Sequence, residues 1–369
     1  MALSKGSSSL LTMVPMTFFS SKPRPPKGAM RWVTISLLLI TFGSLSLLPT
    51  GYVIERPGQV FNVMGEVSGT SVISSPDMTI YPSESRFDVT TISLLGNRES
   101  TPSWVQVLIA WADPDQIVLP LDEVYPPNVS TEEIRAESTA QMEISQQDAI
   151  AAALGHLGIA VPRKLYVASV IADAPSSGIL VAGDFVTSAG GKAVATFEEL
   201  RGEIQKSEGS PIAIGVVRDG VETEFLISPE QREDAWVIGA MVGYTYDFPV
   251  DIQLQLGDVG GPSGGLMFTL GIIDALEEGS LAGSNHISGT GTISSGGEVG
   301  PIGGIGLKMI AAKNSGANLF LIPQDNCNEA IGQIPDGLDV AIVRDLQEAV
   351  SVVEGLASGS QLPAVSCER

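Results

Sequence analysis

The chain has 369 residues, enough for two or three domains, and an apolar fraction of 44% that supports real cores and excludes wholesale disorder. Its formal net charge of −22 is unevenly spread: residues 1–54 carry five basic side chains and no acidic one, which leaves −27 on residues 55–369. So acidic a body repels phosphate backbones and excludes nucleic acid as a partner, and the charge itself reads as a solubility device.

Residues 1–31 are rich in Ser, Pro and basic side chains and read as a flexible cytoplasmic tail. From Trp32 to Ile54 no side chain is charged. That run is close to the roughly 20 residues a helix needs to cross a bilayer, so a transmembrane helix is expected over 32–54. Basic residues precede the run and Glu55 follows it, which puts the N-terminus in the cytoplasm and the bulk outside. A cleaved signal peptide is the competing reading. The long basic region and the lack of an Ala-x-Ala site after the apolar core weigh against it.

Residues 55–157 read as an N-terminal extracytoplasmic α+β region. Strands are expected at 59–63, 87–95 and 104–109. Pro126 and Pro127 break the chain, and Ser130 with Glu133 has the spacing of a capping box. A second helix is expected from Ser145, with Ala149, Ile150, Ala153, Leu154 and Leu157 on one face. His156 sits beside that face and reads as structural.

The next stretch changes character. A strand at 165–170 is followed by an Ala174-Pro175 helix and turn, then a strand led by Gly183-Asp184 and a Gly190-Gly191-Lys192 turn. A helix over 196–206 and strands at 212–217 and 222–227, joined by Asp219-Gly220, complete it. This order resembles a bacterial-type PDZ domain, spanning 158–230. The resemblance implies capture of an extended peptide at a sheet edge, with Lys164, Leu165, Tyr166 and Val167 lining the carboxylate-binding end of the groove. A small α+β spacer that binds nothing is the plain alternative.

Chemistry concentrates further on. Ser263 lies in the run Gly260-Gly261-Pro262-Ser263-Gly264-Gly265, ahead of Leu266, Met267, Leu270, Ile273 and Leu276 at helical spacing. A serine hydroxyl is nearly inert at neutral pH and needs a base. The two histidines, His156 and His286, stand in no suggestive setting, so a Ser-His-Asp triad has thin support. A lysine can serve if burial lowers its pKa. Lysine is scarce beyond the apolar segment, and Lys308 stands with Ile305, Met309 and Ala312 on one helical face. Each residue also has a bland reading: Ser263 as an N-cap, Lys308 as a side chain that snorkels outward. Two histidines and two cysteines are too few for a convincing metal cluster, so no metal is expected. Cys327 and Cys367 read equally as a disulfide or as two free thiols.

Taken together, the segment Gly261-Pro262-Ser263-Gly264-Gly265 and the run from Gly289 to Ala312, with its Gly303-Gly304-Ile305-Gly306-Leu307-Lys308, resemble the proteolytic domain of Lon peptidases. The likeness covers about residues 235–355 within an expected domain of 231–357, followed by a tail over 358–369. It implies a Ser–Lys dyad: Ser263 attacks the scissile carbonyl, and Lys308 takes the hydroxyl proton. Thr290 falls where the family has a threonine bonded to the lysine amine; its bland reading is an ordinary strand threonine. Backbone groups at Gly261 and Gly264 are the expected oxyanion donors. Many Lon domains carry acidic residues where this chain has Gly260 and Thr292, and Asp258 is near but out of register.

The expected whole is therefore α+β: an N-terminal transmembrane helix, a PDZ-like domain and a Lon-type α/β proteolytic domain. It resembles membrane-anchored, PDZ-containing Lon-like proteases of bacteria. No Gly-x-x-x-x-Gly-Lys-Ser/Thr phosphate loop occurs, so neither ATP nor any other cofactor is expected. The reading is an ATP-independent serine endopeptidase acting on exposed or unfolded extracytoplasmic polypeptides, held at the membrane by its N-terminal helix and compatible with a homo-oligomer. A peptide-binding scaffold with a degenerate peptidase domain is the alternative.

Overall fold

The computed structural model describes residues 27–233, 235–257, 259–362 and 365–367. Most of the basic tail, Asp258 and parts of the C-terminal segment lie outside the described residues. In chain order, α1 (Lys27–Leu47) and β1 (Tyr52–Asn62) precede β2 (Arg86–Leu95), α2 (Trp104–Ala112), β3 (Ile117–Pro120) and α3 (Thr131–His156). Next come β4 (Arg163–Val170), β5 (Phe185–Ala189), α4 (Phe197–Lys206), β6 (Ile212–Arg218), β7 (Val221–Ile227) and β8 (Ala240–Tyr246). The chain then runs through α5 (Gly265–Leu276), β9 (His286–Gly289), α6 (Ile305–Ser315), β10 (Leu319–Pro323), β11 (Asp339–Val343) and α7 (Leu346–Ala357).

One six-stranded sheet has the order β11-β10-β9-β2-β1-β3. β2, β9, β10 and β11 pair in parallel, and β1 is antiparallel to both β2 and β3. Every residue of α5 is buried, as a helix whose apolar side chains recur all round requires. It packs with Phe87 and Val89 of β2 and Met142, Ala149 and Leu154 of α3 in one core. The region expected as a separate N-terminal unit over 55–157 is thus part of the same body as the last third of the chain: β1, β2 and α3 close its sheet and core. Parallel strands that come from distant stretches of sequence leave no local mark of this pairing.

The second sheet, β7-β6-β5-β4-β8, is antiparallel and has its own core of Leu165, Val167, Leu200, Ile204 and Ile214. It is inserted between α3 and α5, and it runs past the expected end at residue 230, because β8 supplies its edge. Polar contacts fix it to the body. Tyr246 donates its hydroxyl hydrogen to Asp148 of α3, and Arg163 donates to the Ser295 hydroxyl. Burial raises the Asp148 pKa despite the Tyr246 hydrogen bond and the Arg163 charge.

Three local expectations change. The strand expected at 104–109 is α2, because Ser103 and Gln106 form a full capping box and the aromatic and aliphatic side chains fall at helical spacing. The two helices expected around Ser130 and Ser145 are the single helix α3, opened by the Ser130–Glu133 box. The helix expected after Ala174 is a series of turns. Cys327 and Cys367 are joined by a disulfide, with 5.5 Å between their Cα atoms.

No helix among the described residues is long and apolar enough to cross a membrane. The uncharged run expected to do so over 32–54 is divided. α1 stops at Leu47, Pro49 forms a β-bridge with Ser103, and Tyr52 opens β1, an interior strand. The side chains described along α1 are nonetheless nearly all exposed.

Candidate active site

The chain meets α3 at Gly260, where a Cβ would collide with the Ser138 hydroxyl. Gly261 follows with φ +83°, a left-handed conformation that glycine adopts without strain. Pro262–Gly264 then make one 3₁₀ turn that carries Ser263 into the start of α5.

The run 289–293 is zipped to that turn. Gly291 donates its amide to the Ser263 carbonyl at 2.9 Å, and Leu266 donates to the Gly291 carbonyl at 3.1 Å. Thr290, fully buried, donates its hydroxyl hydrogen to the same Ser263 carbonyl at 3.0 Å. Its oxygen accepts from Lys308 Nζ at 3.2 Å. Two segments far apart in sequence, with the lysine helix α6 behind them, therefore meet around one threonine. α6 reaches this place because Gly304, at φ +67°, lets the chain turn where a Cβ would strike Ile92 of β2.

Lys308 is 4% exposed, among buried Ile305, Met309 and Ala312. Burial alone lowers its pKa from 10.5 to about 8. No described residue lining its cavity is acidic, so nothing there restores the charge. The cavity, of about 400 Å³, is bounded by Gln59, Phe61, the β2 residues 89–93, Met142, Val259, Gly260, Ser263 and Gly264. It adjoins, at Val259 and Gly260, a cleft of about 780 Å³ between the start of α2 and the first half of α3. Ser263 and Lys308 share the cavity, but among the described hydrogen bonds none joins their hydroxyl and amine. Thr290 is the link between them.

Several expected residues stand elsewhere. The Gly261 amide donates to the Ser138 carbonyl at 2.9 Å, so it is not a free oxyanion donor in this conformation. Gly264 is buried against Phe268 and Val89. Lys164, Leu165, Tyr166 and Val167 lie on β4, which is paired on both sides, with β5 and β8. An interior strand has no edge to offer a peptide. The free edge next to α4 belongs to β8, and an apolar groove of about 260 Å³ lies between β8 and α4, lined by Leu200, Ile204, Ala240 and Val242 among others. Neither histidine joins the site: His156 is exposed at the end of α3, and His286 pairs with buried Asp88 at 2.5 Å. No group of residues suited to a metal ion occurs among the described residues.

Helical spacing marks α3 as a helix but not as a wall of this site. Ser138, Met142 and Ser145 lie at i, i+4 and i+7 on one face, and Ser145 donates to the Pro262 carbonyl at 2.9 Å. The small polar residues on a buried helical face were the available signal.

Comparison with known proteins bears on the same part of the chain as Ser263 and Lys308. Residues 249–355 match the Lon protease (S16) C-terminal proteolytic domain. Lon protease 2 of Bacillus subtilis is 35% identical over 108 residues, which are 29% of this chain and 19% of that protein. Lon protease of Acinetobacter baumannii is 37% identical over 153 residues, 39% of this chain and 18% of that protein. The chain thus spans about a fifth of the length of these relatives. The PDZ domains of the SdrC-like proteins of Listeria monocytogenes and Listeria innocua align with 21% of this chain at 25% and 27% identity, covering 85% and 92% of those structures with a TM-score of 0.20. The chain is similar to a Lon-type peptidase over its last third, and that similarity supports a serine peptidase.

Proposed function

We propose that this chain is an ATP-independent serine endopeptidase in which Ser263 is the nucleophile and Lys308 its general base. The reading rests on one observation above the others: a lysine 4% exposed, lowered to about 8 by burial, bonded to the threonine that also holds the nucleophile's backbone. A neutral amine at that position takes the Ser263 proton as the hydroxyl attacks the scissile carbonyl and returns it to the leaving amine. A cavity open to solvent suits exposed or unfolded polypeptide segments. The disulfide between Cys327 and Cys367 favours a place outside the cytoplasm. The PDZ-like unit binds substrate tails or gates access, through the groove between β8 and α4.

A peptide-binding scaffold without catalysis is the second reading, and two observations favour it: the engaged Gly261 amide and the missing Ser263–Lys308 hydrogen bond. Hydrolysis of fluorescent casein by the full chain, compared with Ser263→Ala and Lys308→Ala, separates the two. The endopeptidase reading expects both variants to be folded and inert. Unchanged hydrolysis in Ser263→Ala would overturn it.

A further inference from the structure

From Ser100 to Ala112 no residue is charged, in a chain whose net charge is −22. α2 occupies most of that stretch. Its inner side, Val107 and Ala110, packs on Ile54 of β1. Its outer side presents Leu108 at 49%, Ile109 at 60% and Trp111 at 55% exposure. This face is not isolated. α1 contacts α2, and the junction between them is bonded: Thr50 donates its hydroxyl to the Pro102 carbonyl at 2.8 Å, and its amide donates to the Thr101 hydroxyl at 3.2 Å. Tyr52 meets Trp104 and Trp111 edge-on, at centroid distances of 6.0 and 5.8 Å.

We propose that the outer face of α2 lies on a lipid bilayer, beside α1, and seats the catalytic body at the membrane surface. α1 exposes Trp32, Val33, Leu37, Leu38, Leu39 and Ile40, which lie around the whole helix and not on one stripe. A protein partner covers one side of a helix; hydrocarbon covers all of them. The α2 face continues that apolar surface without a charge. Aromatic rings at the junction suit the boundary between acyl chains and headgroups. Asp113 and Asp115 follow directly and mark where the surface returns to water. The occupant is therefore lipid, and a neutral bilayer suffices for the α2 face, which offers no basic side chain for anionic headgroups. Pro102 and Gln106, at the start of this helix, line the cleft that leads to Gly260. The seat thus places the entrance of that cleft beside the bilayer.

The test uses the full chain on phosphatidylcholine vesicles, with Trp32, Trp104 and Trp236 changed to Phe so that Trp111 alone fluoresces. Lipids brominated near the headgroup end of the acyl chain should quench Trp111 by about twofold or more. Leu108→Glu with Ile109→Glu should restore at least about half of that emission while the circular dichroism spectrum and the melting curve stay unchanged. A companion protein that keeps only Trp32 reports α1. Quenching of Trp32 without quenching of Trp111 overturns the proposal, and so does the absence of quenching at both. Self-association that is lost in the double glutamate variant and does not depend on vesicles also overturns it, because a second copy then covers the face. None of these readouts depends on proteolysis, so the failure of either idea leaves the other standing.

Discussion

The peptidase-like body and the inserted sheet carry their candidate chemistry in different ways. In the body, the groups that matter sit on segments marked by their own residues: glycines at 260, 261 and 304 that permit close approach, a serine on a tight turn, a lysine on an apolar helix. In the inserted sheet, the groove depends on which strand is left at the edge. That strand, β8, follows the part of the chain that shows the unit's pattern. A serine and a lysine suited to act as nucleophile and base can be picked out by residue type, whereas a sheet edge is a property of topology.

The comparison can be tested most strongly at Lys308. Lys308→Met should lower casein hydrolysis by about a thousandfold or more. It should also raise the melting temperature at pH 7. Because the folded-state pKa of about 8 lies below the unfolded 10.5, the buried amine costs stability, on the order of 3 kcal/mol, at pH below about 8. That cost shrinks as pH rises from about 8 toward 10.5. The wild-type rate should rise with pH through about 8, as the neutral base forms. A lower melting temperature for Lys308→Met would break the reading of Lys308 as a strained buried base. Next in size is Thr290→Val, expected to cut kcat by about ten- to a hundredfold. It removes the acceptor that favours the charged amine, so the rise in rate should move to lower pH; an unmoved profile would leave Thr290 a structural role only.

Smaller effects are expected in the inserted sheet. Val242→Glu puts a charge in the groove between β8 and α4 and should weaken binding of a tail peptide about tenfold, about 1.4 kcal/mol by calorimetry. Lys164→Ala, on the paired strand β4, should leave that binding unchanged. The reverse pattern would return the groove to β4. Last, Gly260→Ala should destabilise the body by about 1–3 kcal/mol in urea unfolding, because its Cβ meets the Ser138 hydroxyl. Adding Ser138→Gly should recover most of the loss.

Much of the body could be read directly. The strand at 87–95, the serine turn and the lysine helix lie where hydropathy and glycines put them, and the strand expected at 59–63 is the end of the longer β1. What stayed hidden was non-local. The membership of β1, β2 and α3 in the body depends on parallel pairing between segments such as His286 and Arg86, some 200 positions apart, which no local pattern encodes. The fate of the Gly261 amide depends on Ser138, a residue whose own segment shows only a polar helix. At 104–109, alternation and helical spacing coexist over a short apolar run, and the Ser103 box decided for helix.

Arg163 and Tyr246 are paired with one another, and the Asp247 amide donates to the Pro162 carbonyl at 2.9 Å. The inserted unit therefore enters and leaves through a single doorway. Excision of residues 163–246 would leave two ends already in contact, to be rejoined by a tight turn and not a long linker. The peptidase body is in this sense a socket, ready to accept any cassette whose own ends lie equally close.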